Sequence, residues 1–300
     1  MYLTGFADEA AADLAGQIRA TRELGWSNIE SRGIDGTNIH DLPAPAFDAA
    51  CAQLADAGVR INCFGSTIAN WGKKITDPID ITLAEMDRAV PRMLRLGAKL
   101  IRIMSYAVLA DRGPEDQLEQ ERFARLRQIV RRFSDAGLTA MHENCSNYGG
   151  MGWKYTLRML ENVPGLKLVF DTGNPVGTQD YASGQAGKRQ SAWEFYQHVR
   201  EHVVHVHIKD GRFLEDTGGT FSKCEYTWPG EGDGKVVRIV RDLVARGYDG
   251  GFSMEPHMSV VFHEKGGDSE AQARYRTYVE YGRRFTKILA DAGVDTAKLG

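Results

Sequence analysis

Four short apolar runs between residues 138 and 257 each deliver a side chain that can bind a metal ion or carry a proton. LTAMHENC delivers Glu143, LKLVFDTGNP delivers Asp171, VVHVHIKDGR delivers His205 and His207, and GGFSMEPH delivers Glu255. If these runs are strands, their side chains alternate between two faces. On that spacing His205 and His207 share the face opposite Val204, Val206 and Ile208, while Ser253 and Glu255 lie opposite Phe252 and Met254. Val169 and Asp171 likewise oppose Leu168 and Phe170, and Met141 and Glu143 point together with His142 on the other side. Three carboxylates converging in a confined space cannot all remain ionised. A divalent cation resolves the conflict, and one imidazole with carboxylate oxygens suits Mn2+, Mg2+, Co2+ or Zn2+, the oxygen-rich set favouring Mn2+. Such an ion polarises a carbonyl while flanking carboxylates take and return a proton on the adjacent carbon.

The elements that must position these residues alternate along the whole chain. Strands are expected at 2–6, 27–31, 59–64, 99–104, 138–143, 166–171, 203–208 and 251–255. Amphipathic helices are clearest at 11–24, 44–57, 79–96, 115–136, 236–245 and 270–290. Strict alternation implies parallel strands joined by helical crossovers. RELGW, ADAGVRIN, RLGAKLIR, SDAGLTAM and ARGYDGGF each place a glycine (Gly25, Gly58, Gly97, Gly137, Gly247) where a helix ends in the left-handed region. Eight such units close a (β/α)8 TIM barrel, read here as a single domain over residues 1–300. The rival open sheet would bind a dinucleotide through G-x-G-x-x-G after the first strand, where this chain has FADEA. In a barrel the ends of strands five to eight open on the C-terminal mouth, where active sites form. The polar loops 175–190 and 211–234 follow strands six and seven at that mouth.

Three branches of function are disfavoured by composition. With 37 basic against 40 acidic residues, a net charge of −3 offers no attraction to nucleic acid or to an anionic membrane surface. No stretch approaches the roughly 20 apolar residues of a membrane span. MYLTGFADEA lacks a basic region before an apolar run and does not read as a secretory signal. The four cysteines (Cys51, Cys63, Cys145, Cys224) follow no framework spacing, so a cytoplasmic protein with reduced thiols is expected.

The strand-five Glu, FDTGN, HVHIKD, PGEGDG and SMEPH, in that order, resemble the sugar-phosphate isomerase/epimerase family, the xylose-isomerase-like barrels that include ketose 3-epimerases, hydroxypyruvate isomerase and inosose dehydratase. The resemblance covers nearly the whole chain. It implies that Glu143, Asp171, His207 and Glu255 are the metal ligands, that Glu143 and Glu255 are an acid/base pair on opposite faces of the substrate, and that Arg212 binds the substrate. It departs at Asn174, in DTGN, where ketose 3-epimerases look like D-T-x-H with the histidine on the sugar. The expected function is therefore a metal-dependent isomerase or epimerase of a keto-sugar or polyol, working by proton abstraction α to a carbonyl with a metal-stabilised enediolate. The alternative is a lyase or dehydratase that begins with the same step and expels a β-leaving group from a keto-sugar, inosose or 3-keto-glycoside. A remote third, an AP-endonuclease-like DNA-repair enzyme, needs further histidine and aspartate ligands, and INCFGS and IRIMSY at the ends of strands three and four supply no histidine.

Other residues have two readings each. His205 lies one layer below His207, as a substrate contact or as a hydrogen-bonded core histidine. Glu30 reaches either a substrate hydroxyl or Lys209, or serves as an ion-pair partner. Lys209 and Asp210 contact substrate or hold the loop, and His257 lines the pocket or the surface, with His263 a weaker candidate. Phe6, Trp71, Trp153 and Trp228 are sugar-stacking walls or core. GEGDG lacks the G-K-[ST] of a phosphate loop and reads as a tight turn, with Glu231 near the site. The tyrosines of the last helix, Tyr275, Tyr278 and Tyr281, either pack the barrel or form an interface in a homo-oligomer, and a different partner subunit also fits.

Overall fold

The chain folds, in a computed structural model describing residues 1–185, 187–258 and 270–300, around one parallel sheet. Among those residues its eight strands are β1 (Tyr2–Gly5), β2 (Asn28–Ser31), β3 (Arg60–Gly65), β4 (Leu100–Ile103), β5 (Thr139–Glu143), β6 (Lys167–Asp171), β7 (Val203–Ile208) and β8 (Gly251–Met254). They run in the order β1-β8-β7-β6-β5-β4-β3-β2, and a bridge between Phe6 and Glu30 brings β1 and β2 together, so the barrel nearly closes. Helices α1 (Leu14–Glu23), α2 (Ala44–Ala57), α3 (Asp80–Leu96), α4 (Glu119–Asp135), α5 (Trp153–Asn162), α6 (Ala192–Val199), α7 (Val236–Ala245) and α8 (Glu270–Asp291) cover the outside.

Local chemistry sets the helix bounds. The first helix begins at Leu14 rather than Ala11 because the Asp13 carboxylate accepts the Gly16 N–H and caps it. Gly58 and Gly97 end α2 and α3 with φ of 64° and 70°, a conformation that strains a residue bearing a Cβ. Tyr278 and Tyr281 of α8 are buried in the packing against the barrel, while Tyr275 donates to Glu23 on α1. The tyrosine-rich face is therefore barrel packing. No helix among the described residues is long and apolar enough to cross a membrane.

Two register shifts depart from simple alternation. Between β6 and β7, Leu168 pairs with Val203 but Val169 with His205, which leaves Val204 as an extra residue. Val204, expected on the outer face, instead packs with Cys63, Met141 and Val169 inside the barrel. A bulge turns two successive side chains to one side. Ile29 and Glu30 pair with Ile61 and Cys63, so Asn62 is the extra residue there, and its side chain accepts from Thr4 inside the barrel. The loop after β7 also differs from a plain turn-rich segment. Gly211–Glu215 and Lys223–Tyr226 form an antiparallel hairpin that touches the loop after β6 through Thr178 and Phe221.

Candidate metal centre and pocket

Pairing of His207 with Asp171 on one side and Ser253 on the other sets the ends of β6, β7 and β8 level. One donor atom each from Glu143, Asp171, His207 and Glu255 then falls within 4.8 Å of the other three, and all four residues are buried. Asp171 Oδ1 accepts the N–H groups of Gly173 (2.8 Å) and Asn174 (2.6 Å), the turn chemistry of DTGN. Its Oδ2 is ion-paired with the Lys209 ammonium at 3.0 Å. His207 Nδ1 is without a hydrogen-bond partner, 3.7 Å from Glu143 Oε1. Glu143 Oε1 also accepts from Asn174 Nδ2 at 3.0 Å.

A second layer lies directly beneath. Glu30 is fully buried and accepts from His205 Nε2 (2.9 Å), from His207 Nε2 (3.1 and 3.2 Å) and from the Cys63 thiol (3.2 Å). A carboxylate only accepts, so the proton of His207 must sit on Nε2, which leaves Nδ1 turned toward the cluster above. Glu30 therefore does not meet Lys209 or the cavity, and His205 belongs to this lower layer.

Each upper carboxylate is matched by a cation. Glu143 Oε2 is 3.0 Å from Arg102, and Glu255 is held by Lys209 at 2.8 Å and Arg32 at 3.0 Å. Burial alone would raise the Glu143 pKa, but Arg102 and His207 outweigh it and bring the group to about 2. Burial is likewise overcome at Glu255, by Lys209, His257 and Arg32, and at Glu30, by His207 and His205. Asp171 goes the other way, to about 7, because burial and the charges of Glu255 and Glu143 exceed the help of Lys209. His207 is raised to about 10, the pull of Glu30 and Glu143 exceeding the cost of burial. The carboxylates around His207 thus favour its protonated form, and a cation taken up by this cluster would have to displace that proton.

A cavity of 380 Å³ opens above this centre. Glu143, Glu255, Lys209, Asn174 and His257 line it, as does Trp71 at the rim, 58% exposed. His257 sits in the left-handed region at φ 55°, pinned by its own N–H and Nδ1 to the two oxygens of Glu9, each at 2.7 Å. Phe6 is not a cavity wall but a buried ring edge-on to His207 at 5.0 Å, with the Arg32 guanidinium over it at 4.7 Å. Trp153 stacks on His198 and Trp228 lies against Tyr281 and Arg284, both away from the cavity.

Several expected contacts fall elsewhere. Arg212 is exposed on the hairpin and donates to the Glu231 carbonyl at 2.7 Å. Asp210 is a loop residue, since its carboxylate accepts the N–H groups of Gly211, Gly230, Gly232 and Gly234 at 2.8 to 3.1 Å. Glu231 points outward to Arg284. His142 is on the outer face, bonded to Ser105 and Asn147. His263 lies outside the described residues. Sequence reasoning missed Arg32 and Arg102. Arg102 had a signal, a charged residue on the inner face of the apolar run LIRI; Arg32 follows β2 with none.

No curated protein matches the sequence. Among solved structures, the fold is similar to the probable 3-DHS dehydratase AsbF from Bacillus anthracis at TM-score 0.65 and 16% identity, over 93% of this chain and 98% of that one. It is similar to a xylose isomerase-like TIM barrel protein from Mycobacterium smegmatis in complex with magnesium at TM-score 0.64 and 18% identity, over 96% and 97%. It is also similar to a D-tagatose 3-epimerase-like protein at TM-score 0.65 and 15% identity, over 98% and 100%. A family model described as xylose isomerase-like TIM barrel matches residues 18–284, most of the barrel and all four residues of the upper cluster, and the chain belongs to that family.

Proposed function

We propose that the protein is a divalent-metal-dependent isomerase or epimerase of a keto-sugar or related polyol, with Glu143, Asp171, His207 and Glu255 as the metal ligands. The observation that carries this reading is the buried four-residue donor cluster beneath an open cavity, in which His207 Nδ1 has no hydrogen-bond partner. Most buried polar atoms in folded proteins are hydrogen-bonded, so a free imidazole nitrogen aimed into a cluster of carboxylates supports a ligand there. The oxygen-rich donor set favours Mn2+, with Mg2+ next. When bound, the ion supplies Lewis-acid polarisation of a carbonyl oxygen.

The protein's own groups do the rest. Glu143 and Glu255 both line the cavity, and separate cations keep each ionised at neutral pH. One takes a proton from the carbon beside the carbonyl, and the other returns a proton to the opposite face or the neighbouring carbon. Asn174 steadies Glu143, and Glu30 fixes the ring of His207 from below. A second reading, elimination, is favoured by His257. Burial opposes its protonation, but Glu9 and Glu255 hold its pKa above the ordinary value, and the ring lines the cavity with Nε2 3.8 Å from Glu255. An imidazolium there can protonate a departing hydroxyl.

Proton NMR in D2O of ketoses, inososes and 3-keto-glycosides with Mn2+-loaded protein tests both readings. Exchange of one C–H beside the carbonyl, abolished by a chelator, is expected. Retained product mass supports isomerisation, and an unsaturated or released product supports elimination. Exchange that survives chelation, or none with metal bound, overturns the metal-dependent mechanism.

A further inference from the structure

Besides His257, which Glu9 holds, the cavity is lined among the described residues by three cations, Arg32, Arg102 and Lys209, against the carboxylates of Glu143 and Glu255. The three cations are not equivalent. Arg32 is saturated by Asp8, Glu9 and Glu255 at 2.8 to 3.3 Å. Arg102, buried, meets one carboxylate, Glu143, and its Nε has no hydrogen-bond partner. Lys209, also buried, bridges Asp171 at 3.0 Å and Glu255 at 2.8 Å. The partners of Arg102 and Lys209 are thus the same carboxylates that the proposed metal site requires. With a divalent ion drawing on those oxygens and displacing the proton of His207, Arg102 and Lys209 share their carboxylates with a dication, and each is less well neutralised in a site where water screens little. Sugar hydroxyls do not restore that neutralisation, whereas an anion on the bound molecule does. An enolate oxygen formed during reaction meets the same cations only briefly, and the resting complex needs its anion beforehand.

We infer that the substrate carries a carboxylate, received by Lys209 and Arg102, and is therefore a keto-sugar acid rather than a neutral keto-sugar; the inference rests on the metal-dependent function proposed above. A carboxylate suits the fork of a guanidinium beside an ammonium. A phosphate ester is the poorer match, because the glycine-rich segment next to the cavity has turned its backbone N–H groups inward. Gly230, Gly232 and Gly234 all donate to Asp210, so that nest already holds an anion of the protein itself.

Isothermal titration of the Mg2+-loaded full chain with matched pairs tests this: fructose against fructuronate and tagatose against tagaturonate, which differ by a carboxylate at C6, with fructose 6-phosphate as a third arm. At least one uronate is expected to bind about tenfold or more tighter than its ketose. Lys209→Met and Arg102→Gln should each remove most of that preference, with circular dichroism and Mn2+ stoichiometry confirming fold and metal site. If Lys209→Met does not fold, Arg102→Gln carries the test. Equal affinities within every pair overturn the inference. A preference that survives both variants places the carboxylate on the ion instead, and tightest binding by fructose 6-phosphate makes the anion a phosphate; either result overturns it too. Ketoses that bind and exchange with no uronate preference sink this inference alone, while no binding and no exchange by any sugar sinks the proposed function with it.

Discussion

Two layers of the barrel interior hold nearly the same inventory of side chains and do different things with it. In the lower layer, Glu30, His205 and Cys63, both oxygens of Glu30 are taken by imidazole and thiol donors and none of the three reaches the cavity, while His205 Nδ1 has no hydrogen-bond partner. The upper layer, Glu143, Asp171, His207 and Glu255, opens on the cavity through Glu143 and Glu255 and keeps His207 Nδ1 without a hydrogen bond. Both layers pass a geometric test for a metal group. What separates them is access to the cavity and the number of carboxylates, three above against the single Glu30 below, whose two oxygens are already engaged. Burial raises the Cys63 thiol, and Glu30 raises it further, so the lower layer keeps its proton and remains a support. His207 joins the layers, held below through Nε2 and offering Nδ1 above.

The largest expected effect belongs to the upper layer. Glu143→Gln and Glu255→Gln should each lower metal-dependent proton exchange by roughly 10²- to 10⁴-fold, the range for losing a positioned acid or base. The NMR exchange rate measures it with fold checked by circular dichroism. A loss of less than about fivefold in both would take the acid/base roles away from this layer.

Glu30→Gln tests the lower layer as a support. It should weaken metal binding by roughly 10- to 100-fold, because the amide no longer fixes the proton of His207 on Nε2. Removing the charge opposite buried imidazoles should also cost about 3 kcal/mol of stability. Titration calorimetry and thermal unfolding read the two effects. Unchanged metal affinity in a destabilised variant would make Glu30 purely structural, and the distinction between the layers would then lose its link.

The pH dependence of metal-free protein should sharpen the contrast. His207 is raised from 6.5 to about 10, so its contribution is complete below 6.5 and is lost as pH climbs toward 10. Asp171 is raised from 3.8 to about 7, so ionising it costs stability across that interval. Glu143, lowered from 4.5 to about 2, contributes above 4.5 and stops as pH falls through 2. Glu30 and Glu255, also lowered, act in the same acidic direction. The Tm of the metal-free chain should therefore fall from near pH 6.5 to pH 10, and saturating Mg2+ should flatten that limb. Parallel curves with and without Mg2+ would mean that the ion does not replace the proton on His207.

How much of this was readable in the sequence depended on whether a residue acts within its own strand or across the barrel. The eight strands were legible because parallel strands buried on both faces read as apolar runs, and the glycines of α2 and α3 marked helix ends as expected. The upper carboxylates and His207 were legible for the same reason, as polar residues at the ends of those runs. Helix α6 carries only 8 residues, too few for its period to stand out. Val204 was misplaced because a bulge is a relation between two strands, and neither sequence alone contains it. Arg32 was invisible for a similar reason, its partner Glu255 lying 223 residues away.

Arg212 gives the smallest expected effect and the cleanest test of family resemblance against local structure. The resemblance assigns it to the substrate, yet the folded chain leaves it exposed on the hairpin, bonded to the carbonyl of Glu231 and outside the cavity lining. An exposed side chain with one backbone acceptor contributes little, so Arg212→Ala should change stability by less than about 0.5 kcal/mol. KM and kcat for the substrate found by the exchange assay should both move by less than about twofold, since no contact to the bound molecule is lost. Arg102→Gln in the same assay should raise KM far more, because that arginine faces the cavity. A rise of tenfold or more in KM for Arg212→Ala, with kcat held, would show that the hairpin moves on binding and delivers this arginine to the substrate. The cation set would then extend beyond Arg32, Arg102 and Lys209, and the upper layer would be completed by a residue that the resting fold holds apart.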